Sequence, residues 1–208
     1  ASLIAAHAYQ RLGRPAAGLA LLERVIARCR EVGDYFHLAC AHSNRVATWR
    51  ELGESTRAAA DLEAVVAIAR DCGFALLEAA GLANLAEHLC WQGCLDEALA
   101  ASRAAHAQSV RRFRDQPLAI VSLYHAQLLA LAGHDAEVRA VVRELGAVDL
   151  SEPSVAIMHR AVAVALDAPA GADGVWAAVH AEAERLGAGL QPVEMRWLEA
   201  RCRRRAGD

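Results

Sequence analysis

The residues best suited to chemistry form a small group of histidine and cysteine near the middle of the chain. His88, Cys90 and Cys94 lie within seven residues, and an imidazole with two thiolates could bind a soft metal ion. However, Gly93 bends the chain between the two thiols, their spacing is not that of a zinc pair, and no fourth ligand is evident. We therefore expect buried cysteines and no metal site.

Other residues that catalysis would require do not converge. The chain has no lysine, which excludes a Schiff base or a phosphate-loop lysine. It has no GxSxG or HExxH motif and no acid–base pair of carboxylates. Glu51 and Glu87 could face one groove, but they are typical of solvated helix faces. His37 and His42 point to different sides of one helix, and the turn at 187–189 is not a dinucleotide loop. We predict a protein that is not an enzyme and binds no cofactor.

The positive charge is carried entirely by 22 arginines, against 25 acidic residues, for a net charge of −3. Clusters at Arg111, Arg112 and Arg114 and at 201–205 could contact phosphates. Without a nucleic-acid motif and with a net negative charge, solvated helix ends are favoured. We expect no nucleic-acid partner.

A glycine series predicts the elements that hold these residues. Four glycines recur at intervals of 40 residues, and a second pair has the same interval (Gly13, Gly53, Gly93 and Gly133; Gly33 and Gly73). Each follows an apolar stripe of helical period, where glycine can adopt the left-handed conformation that ends a helix. A repeat of two helices follows from this spacing.

The predicted fold is all-α, with about eleven helices and no strand. The helix pairs span about 1–34, 35–74, 75–115, 116–150 and 151–188, and a capping helix spans 192–206. Asp135 is predicted to cap the eighth helix, and Ser151 to cap the ninth, which runs to about Asp167. In the last helix Val193, Trp197 and Leu198 are predicted to face inward and the arginines at 201 and 203–205 to face solvent.

Composition predicts where the protein resides. No apolar run reaches the length of a bilayer span, and no secretory signal opens the chain. The six cysteines lie in helical patterns, which favours reduced, buried thiols. We expect a soluble cytoplasmic protein with one repeat domain over 1–208. Because the first repeat has no polar cap, the chain is interpreted as a fragment of a larger protein.

The third repeat carries a family resemblance. Asn84-Leu85-Ala86, Leu89, Gly93, Ala98 and Ala105 resemble the tetratricopeptide (TPR) pattern. Other repeats place small or β-branched residues at the two crossing positions (Ala6, Val46 and Ala126; Gly18, Ala58 and Val138). The period exceeds the usual TPR length of about 34 residues. It is similar to the extended repeats of large bacterial signalling proteins, such as LuxR-type transcription regulators and kinase- or cyclase-linked regulators.

The resemblance implies an α-α superhelix, a TPR-like solenoid, whose first helices line a concave binding face. The positions it places on that face are His7, Gln10, Arg11, Asn44, Arg50, Glu51, Asn84, Glu87, Trp91, Tyr124 and Gln127. The implied partner is a protein or peptide, which could be another domain of the same polypeptide, and the implied role is regulatory. The lysine-based carboxylate clamp of this family is not supported. Arg11 and Arg50 could hold an acidic group instead, or pair with Glu51 or Glu87.

Two alternatives stay open at this point. The superhelix could bind a small inducer and pass the signal to an output domain. The uncapped first repeat could also join copies of the chain into a homo-oligomeric scaffold.

Overall fold

The computed structural model describes residues 2–146, 152–167, 173–186 and 192–206, and these residues form eleven α-helices without a strand. The helices are α1 (Ser2–Arg11), α2 (Pro15–Val32), α3 (Tyr35–Glu51), α4 (Ser55–Asp71), α5 (Ala75–Trp91), α6 (Leu95–Arg112), α7 (Asp115–Ala132), α8 (Asp135–Leu145), α9 (Pro153–Asp167), α10 (Asp173–Leu186) and α11 (Pro192–Ala206). The predicted all-α class and the five helix pairs with a final helix are confirmed. No helix in this part of the chain has both the length and the apolar character of a membrane span.

The repeating glycines end helices as predicted. Gly33 follows α2 with a φ of 71°, and Asp34 then caps α3 by accepting a hydrogen bond from the backbone N–H of His37. Left-handed backbone is accessible to glycine because it has no Cβ. The predicted cap of α8 is wrong by one residue, since Asp135 is its first residue and His134 precedes it. The predicted Ser151 cap lies outside the described residues. Within them, Glu152 accepts a hydrogen bond from the N–H of Val155.

The chain divides into two compact units. Unit 1 (Ala1–Trp91) contains α1 to α5, with α3 packed between α2 and α4 and α5 packed on α4. The predicted crossing positions in this unit are buried (Ala6, Gly18, Val46, Ala58 and Ala86). Gly81 of α5 lies so close to α4 that a Cβ would be 3.0 Å from Val65 and 3.1 Å from Val66. Small residues therefore bring these helices into close contact.

Unit 2 (Gln92–Asp208) contains α6 to α11. Helix α7 packs against α6, α8 and α9, and α11 contacts α9, α7 and α10. Leu198 of α11 is fully buried, as predicted, whereas Val193 and Arg205 have no described side chain. The prediction that Arg201 faces solvent is wrong, because its side chain is buried and bonded to other helices. Arg203 and Arg204 are exposed.

The six cysteines lie in described helices or turns, and none forms a disulfide. The prediction that they are buried holds for Cys29 and Cys202 but is wrong for Cys72, which is exposed at the end of α4. Burial raises the pKa of the Cys29 thiol. The single-domain organisation predicted for residues 1–208 stays a prediction.

Candidate functional site

The first helices of two consecutive pairs, α3 and α5, bring several predicted site residues into contact. Arg50 of α3 donates from Nη1 to Glu87 Oε2 of α5 at 2.9 Å and from Nη2 to the carbonyl oxygen of Asn84 at 3.4 Å. Its guanidinium also lies over the Trp91 ring, 4.5 Å from the centroid. We call the face formed by Asn44, Arg50, Glu51, Asn84, Glu87 and Trp91 the α3–α5 surface.

Burial divides this surface into a fixed base and an exposed rim. Glu87 is 9% exposed, whereas Trp91 is 39% exposed despite its size. Asn84 and Glu51 are exposed, and Asn44 is partly buried. An arginine stacked on an aromatic ring and paired with a carboxylate is held in one conformation. The exposed indole is therefore a fixed apolar feature of this surface.

Arg50 forms an ion pair within the protein. Of the two roles that the sequence left open, pairing with Glu87 is the one present in the structure. Its Nε atom is buried and has no hydrogen-bond partner in the described part of the chain. Both terminal nitrogens of this guanidinium already donate hydrogen bonds within the protein. Arg50 therefore orients the indole and is poorly placed to bind an acidic ligand.

The remaining predicted residues have no described side chain or belong to unit 2. The side chains of His7, Gln10 and Arg11 lie outside the described residues. In unit 2, Tyr124 is partly buried, and Gln127 is only 3% exposed. Gln127 therefore lies in the interior of its unit and not on an open face.

A buried cluster around Asp61 was missed from the sequence. Asp61 of α4 accepts four hydrogen bonds from α3: from Arg45 Nε and Nη2, each at 2.7 Å, from Trp49 Nε1 at 2.8 Å, and from His42 Nδ1 at 2.7 Å. Burial would raise the pKa of Asp61, but the hydrogen bonds and charges of Arg45 and His42 lower it to about 2. All its acceptor capacity is used within the protein, so this carboxylate is a structural link.

A signal for this cluster was present in the sequence. Asp61 lies three residues after Ala58 and four before Val65, on the apolar stripe of α4. His42, Arg45 and Trp49 have the matching spacing of three and four residues on α3. An acid at a core position opposite an arginine indicates a buried ion pair.

In unit 2 the corresponding link joins α6 and α7 through two histidines. The rings of His106 and His125 are stacked with centroids 4.9 Å apart. Ser102 of α6 contacts His125 Nδ1 at 3.0 Å, and Ser122 of α7 contacts His106 Nδ1 at 3.1 Å. Burial lowers the pKa of both histidines, and the neighbouring His106 helps to lower that of His125 to about 4. Both rings are therefore neutral near pH 7.

Ser55 and His88 form a serine–histidine pair. Ser55 Oγ lies 3.2 Å from His88 Nε2. His88 Nδ1 is buried and has no partner among the described residues, so nothing there orients the ring as the acid does in a hydrolase triad. The same part of the chain contains no group of three His, Cys, Asp or Glu residues placed to hold a metal ion.

No protein-family model matches the chain, and no curated protein matches it. Among solved structures it is similar to nearly identical TPR-like repeats from a candidate kinesin light chain of Podosopora anserina. The identity is 18%, the TM-score is 0.64, and the match covers 98% of this chain and 95% of that chain. For a variant of the same repeats the sequence identity is 17%, the TM-score is 0.66 and the coverage of both chains is the same.

The chain has a TPR-like repeat fold. The resemblance read from the glycine spacing and the small crossing residues is thereby confirmed. At these identities the likeness concerns the fold alone.

Proposed function

We propose that this chain is a protein-interaction module that binds a peptide or a partner segment on the α3–α5 surface of unit 1. The observation that supports this most is the exposed Trp91 ring held in place by Arg50 and Glu87. Aromatic side chains that are rigid before binding lose little conformational entropy and often dominate the energy of an interface. The partner's apolar anchor would pack on the indole.

The amides supply the polar part of this proposal. Asn44 and Asn84 occupy equivalent positions in consecutive repeats, 40 residues apart. A side-chain amide both donates and accepts hydrogen bonds, so it can bond to the backbone of an extended peptide whatever that peptide's sequence. We expect a ligand with one apolar anchor and a backbone segment alongside it.

The biological setting belongs to the same proposal. Following the resemblance to extended bacterial repeats, we place the module in the regulatory part of a larger cytoplasmic signalling or transcription regulator. The partner could then be another domain of the same polypeptide.

The test begins with peptides selected from a random displayed library against the full chain. Their affinities are then measured by fluorescence anisotropy with Trp91→Ala and Asn84→Ala. Both side chains are exposed, and Trp91→Ala leaves the Arg50–Glu87 pair intact, whereas Arg50→Ala would strand a buried carboxylate. We expect Trp91→Ala to weaken binding by about tenfold or more.

The matched control is Val175→Ala, an exposed apolar side chain in unit 2. Its affinity for the same peptides should equal that of the unmodified chain. Selected peptides that bind Trp91→Ala and Asn84→Ala as tightly as the unmodified chain would contradict the proposed surface.

A small-ligand sensor is the second candidate, and one observation favours it. A cavity of about 890 Å³ opens in unit 1 beside Leu3, Leu21 and Val25, a volume within the usual range for ligand sites of about 300–1,000 Å³. Its wall includes Ile4, which is 76% exposed. A metabolite present at about 100 times its Kd would add about 2.7 kcal/mol of stability. A thermal-shift screen in which no metabolite raises the melting temperature would remove this candidate.

A further inference from the structure

Helix α11 contacts three helices of unit 2. It packs on α9 and α10, the pair before it, and also on α7, and α7 and α9 contact each other. Helix α11 therefore lies across the seam between two first helices, which we call the α7–α9 seam.

The contact has the pattern of an amphipathic helix bound in a groove. Met195 and Leu198 are buried to 1% and 0% exposure, and Cys202 is buried to 8%. Their spacing of three and four residues places them on one stripe. This spacing is the usual signature of helix-in-groove recognition.

A charged residue adds selectivity to the stripe. Arg201 is 6% exposed and donates to the carbonyl oxygen of Ala165 on α9 at 3.4 Å, and to Asp135 at the start of α8. The two terminal nitrogens of Arg201 thus donate to two different acceptors, so the arginine is recognised by the geometry of its N–H groups as well as by its charge. The seam therefore recognises three apolar side chains and one arginine three residues after the second of them.

The attachment of α11 combines apolar and polar groups. Its described buried side chains are Met195, Leu198, Arg201 and Cys202. An ion pair removed from water adds little net stability, although it is strict about geometry. His180 of α10 also contacts Glu199 at 2.8 Å.

We propose that the α7–α9 seam is a helix-binding site and that α11 is its resident intramolecular ligand. A partner that presents an amphipathic helix with an arginine after its second apolar anchor binds here by replacing α11. This site is separate from the α3–α5 surface and does not depend on it.

The test uses the full chain and a fluorescein-labelled peptide of residues 192–206. In the unmodified chain the seam is filled, so the apparent affinity is reduced by the fraction of molecules in which it is open. The variant Leu198→Asp releases α11 and leaves the residues of α7 and α9 unchanged. We expect this variant to bind the peptide saturably and at least about tenfold more tightly than the unmodified chain does.

Three controls separate recognition from charge attraction. A scrambled peptide of the same composition should not bind, and a peptide carrying Arg201→Ala should bind about tenfold more weakly. Leu76→Asp, at an exposed leucine of unit 1, should leave peptide binding as weak as in the unmodified chain. Equal binding of the native and scrambled peptides to the Leu198→Asp variant would overturn the proposal, as would no binding at all.

A second measurement keeps the proposal testable if Leu198→Asp does not fold. Amide hydrogen exchange of the unmodified chain should show α11 opening while α7 and α9 stay protected, because a displaceable element opens before the whole unit unfolds. Protection of α11 equal to that of α7 and α9 would show that it belongs to the permanent core, and would overturn the proposal.

Discussion

Acidification should destabilise unit 2 through the histidine pair that joins α6 and α7. His125 is 4% exposed, and its pKa is lowered from 6.5 to about 4 by burial and by the nearby His106 and Arg103, against the opposing charge of Glu137. The folded state therefore binds fewer protons than the unfolded state between these two pKa values. Stability is complete above about pH 6.5 and falls as the pH drops towards 4.

The magnitude follows from the two pKa values. With about 4 in the folded state and 6.5 in the unfolded state, His125 alone removes about 2.5 kcal/mol of stability between pH 7.5 and pH 4.5. Burial also lowers the pKa of His106, which adds to the loss in the same pH window. Asp61 affects stability in a lower pH range. Its pKa is 3.8 in the unfolded chain and about 2 in the folded chain, so the stability that it contributes is lost only below about pH 3.8.

The assay is urea unfolding at several pH values for the unmodified chain and for His125→Gln. Glutamine retains a partner for Ser102 and cannot titrate, so the variant should lose about 2.5 kcal/mol less than the unmodified chain on acidification to pH 4.5. Gln92→Ala, at an exposed position that does not titrate, serves as the control and should follow the unmodified chain. Hydrogen exchange then locates the loss of protection, which we expect in α6 and α7. A pH dependence shared equally by His125→Gln and the unmodified chain would refute the reasoning.

Three further substitutions test how the helices are joined. Asp61→Asn should cost about 3–5 kcal/mol by leaving the partly buried Arg45 guanidinium without its carboxylate. Asp71→Asn, at an exposed position, should stay within about 0.5 kcal/mol of the unmodified chain in urea unfolding. Gly81→Ala would force two valines of α4 aside. By thermal or urea unfolding it should be about 1–3 kcal/mol less stable than the control Gly174→Ala, whose Cβ meets nothing within 4 Å. Gly33→Ala places a Cβ at a φ of 71° and should cost about 1–2 kcal/mol, and an unchanged unfolding midpoint would count against the left-handed cap.

The helix pairs could be predicted because their signals are local. The repeated glycines at helix ends and the apolar stripes of period 3.6 depend only on neighbours in sequence. That is why the predicted end of α9 at Asp167 and the start of α11 at Pro192 agree with the structure. The error at Asp135 has the same local origin, since residues at a helix start differ by one position between a cap and a first turn.

The polar contacts between helices could not be placed in the same way. Arg201 was expected in solvent because most arginines are exposed, yet its partners are 36 and 66 residues away in sequence. For Arg50 the sequence offered two roles, and only the packing of α5 on α4 brings Glu87 within reach. Which face of a helix meets which neighbour is a tertiary property, so periodicity alone leaves these pairings open.

The alanine content of the core explains why such polar links are needed. Many core positions are alanines with no exposure, among them Ala41, Ala58 and Ala69. A surface of similar small side chains discriminates poorly between a correct helix register and one displaced by a turn of about 5.4 Å. Directional bonds discriminate well, because a displaced Asp61 would lose four donors at once and become an unpaired buried charge.

Unit 2 fixes its register with neutral groups. Ser102 faces His125, and His106 faces Ser122. Going four residues forward along α6 goes three residues back along α7, so both pairs belong to one register of two antiparallel helices. A slip of one turn would break both contacts together. These partners are neutral only while the histidines are deprotonated, so the register of α6 and α7 is sensitive to mild acid. The α3–α4 register is less sensitive to mild acid, because it is held by a carboxylate with a pKa of about 2.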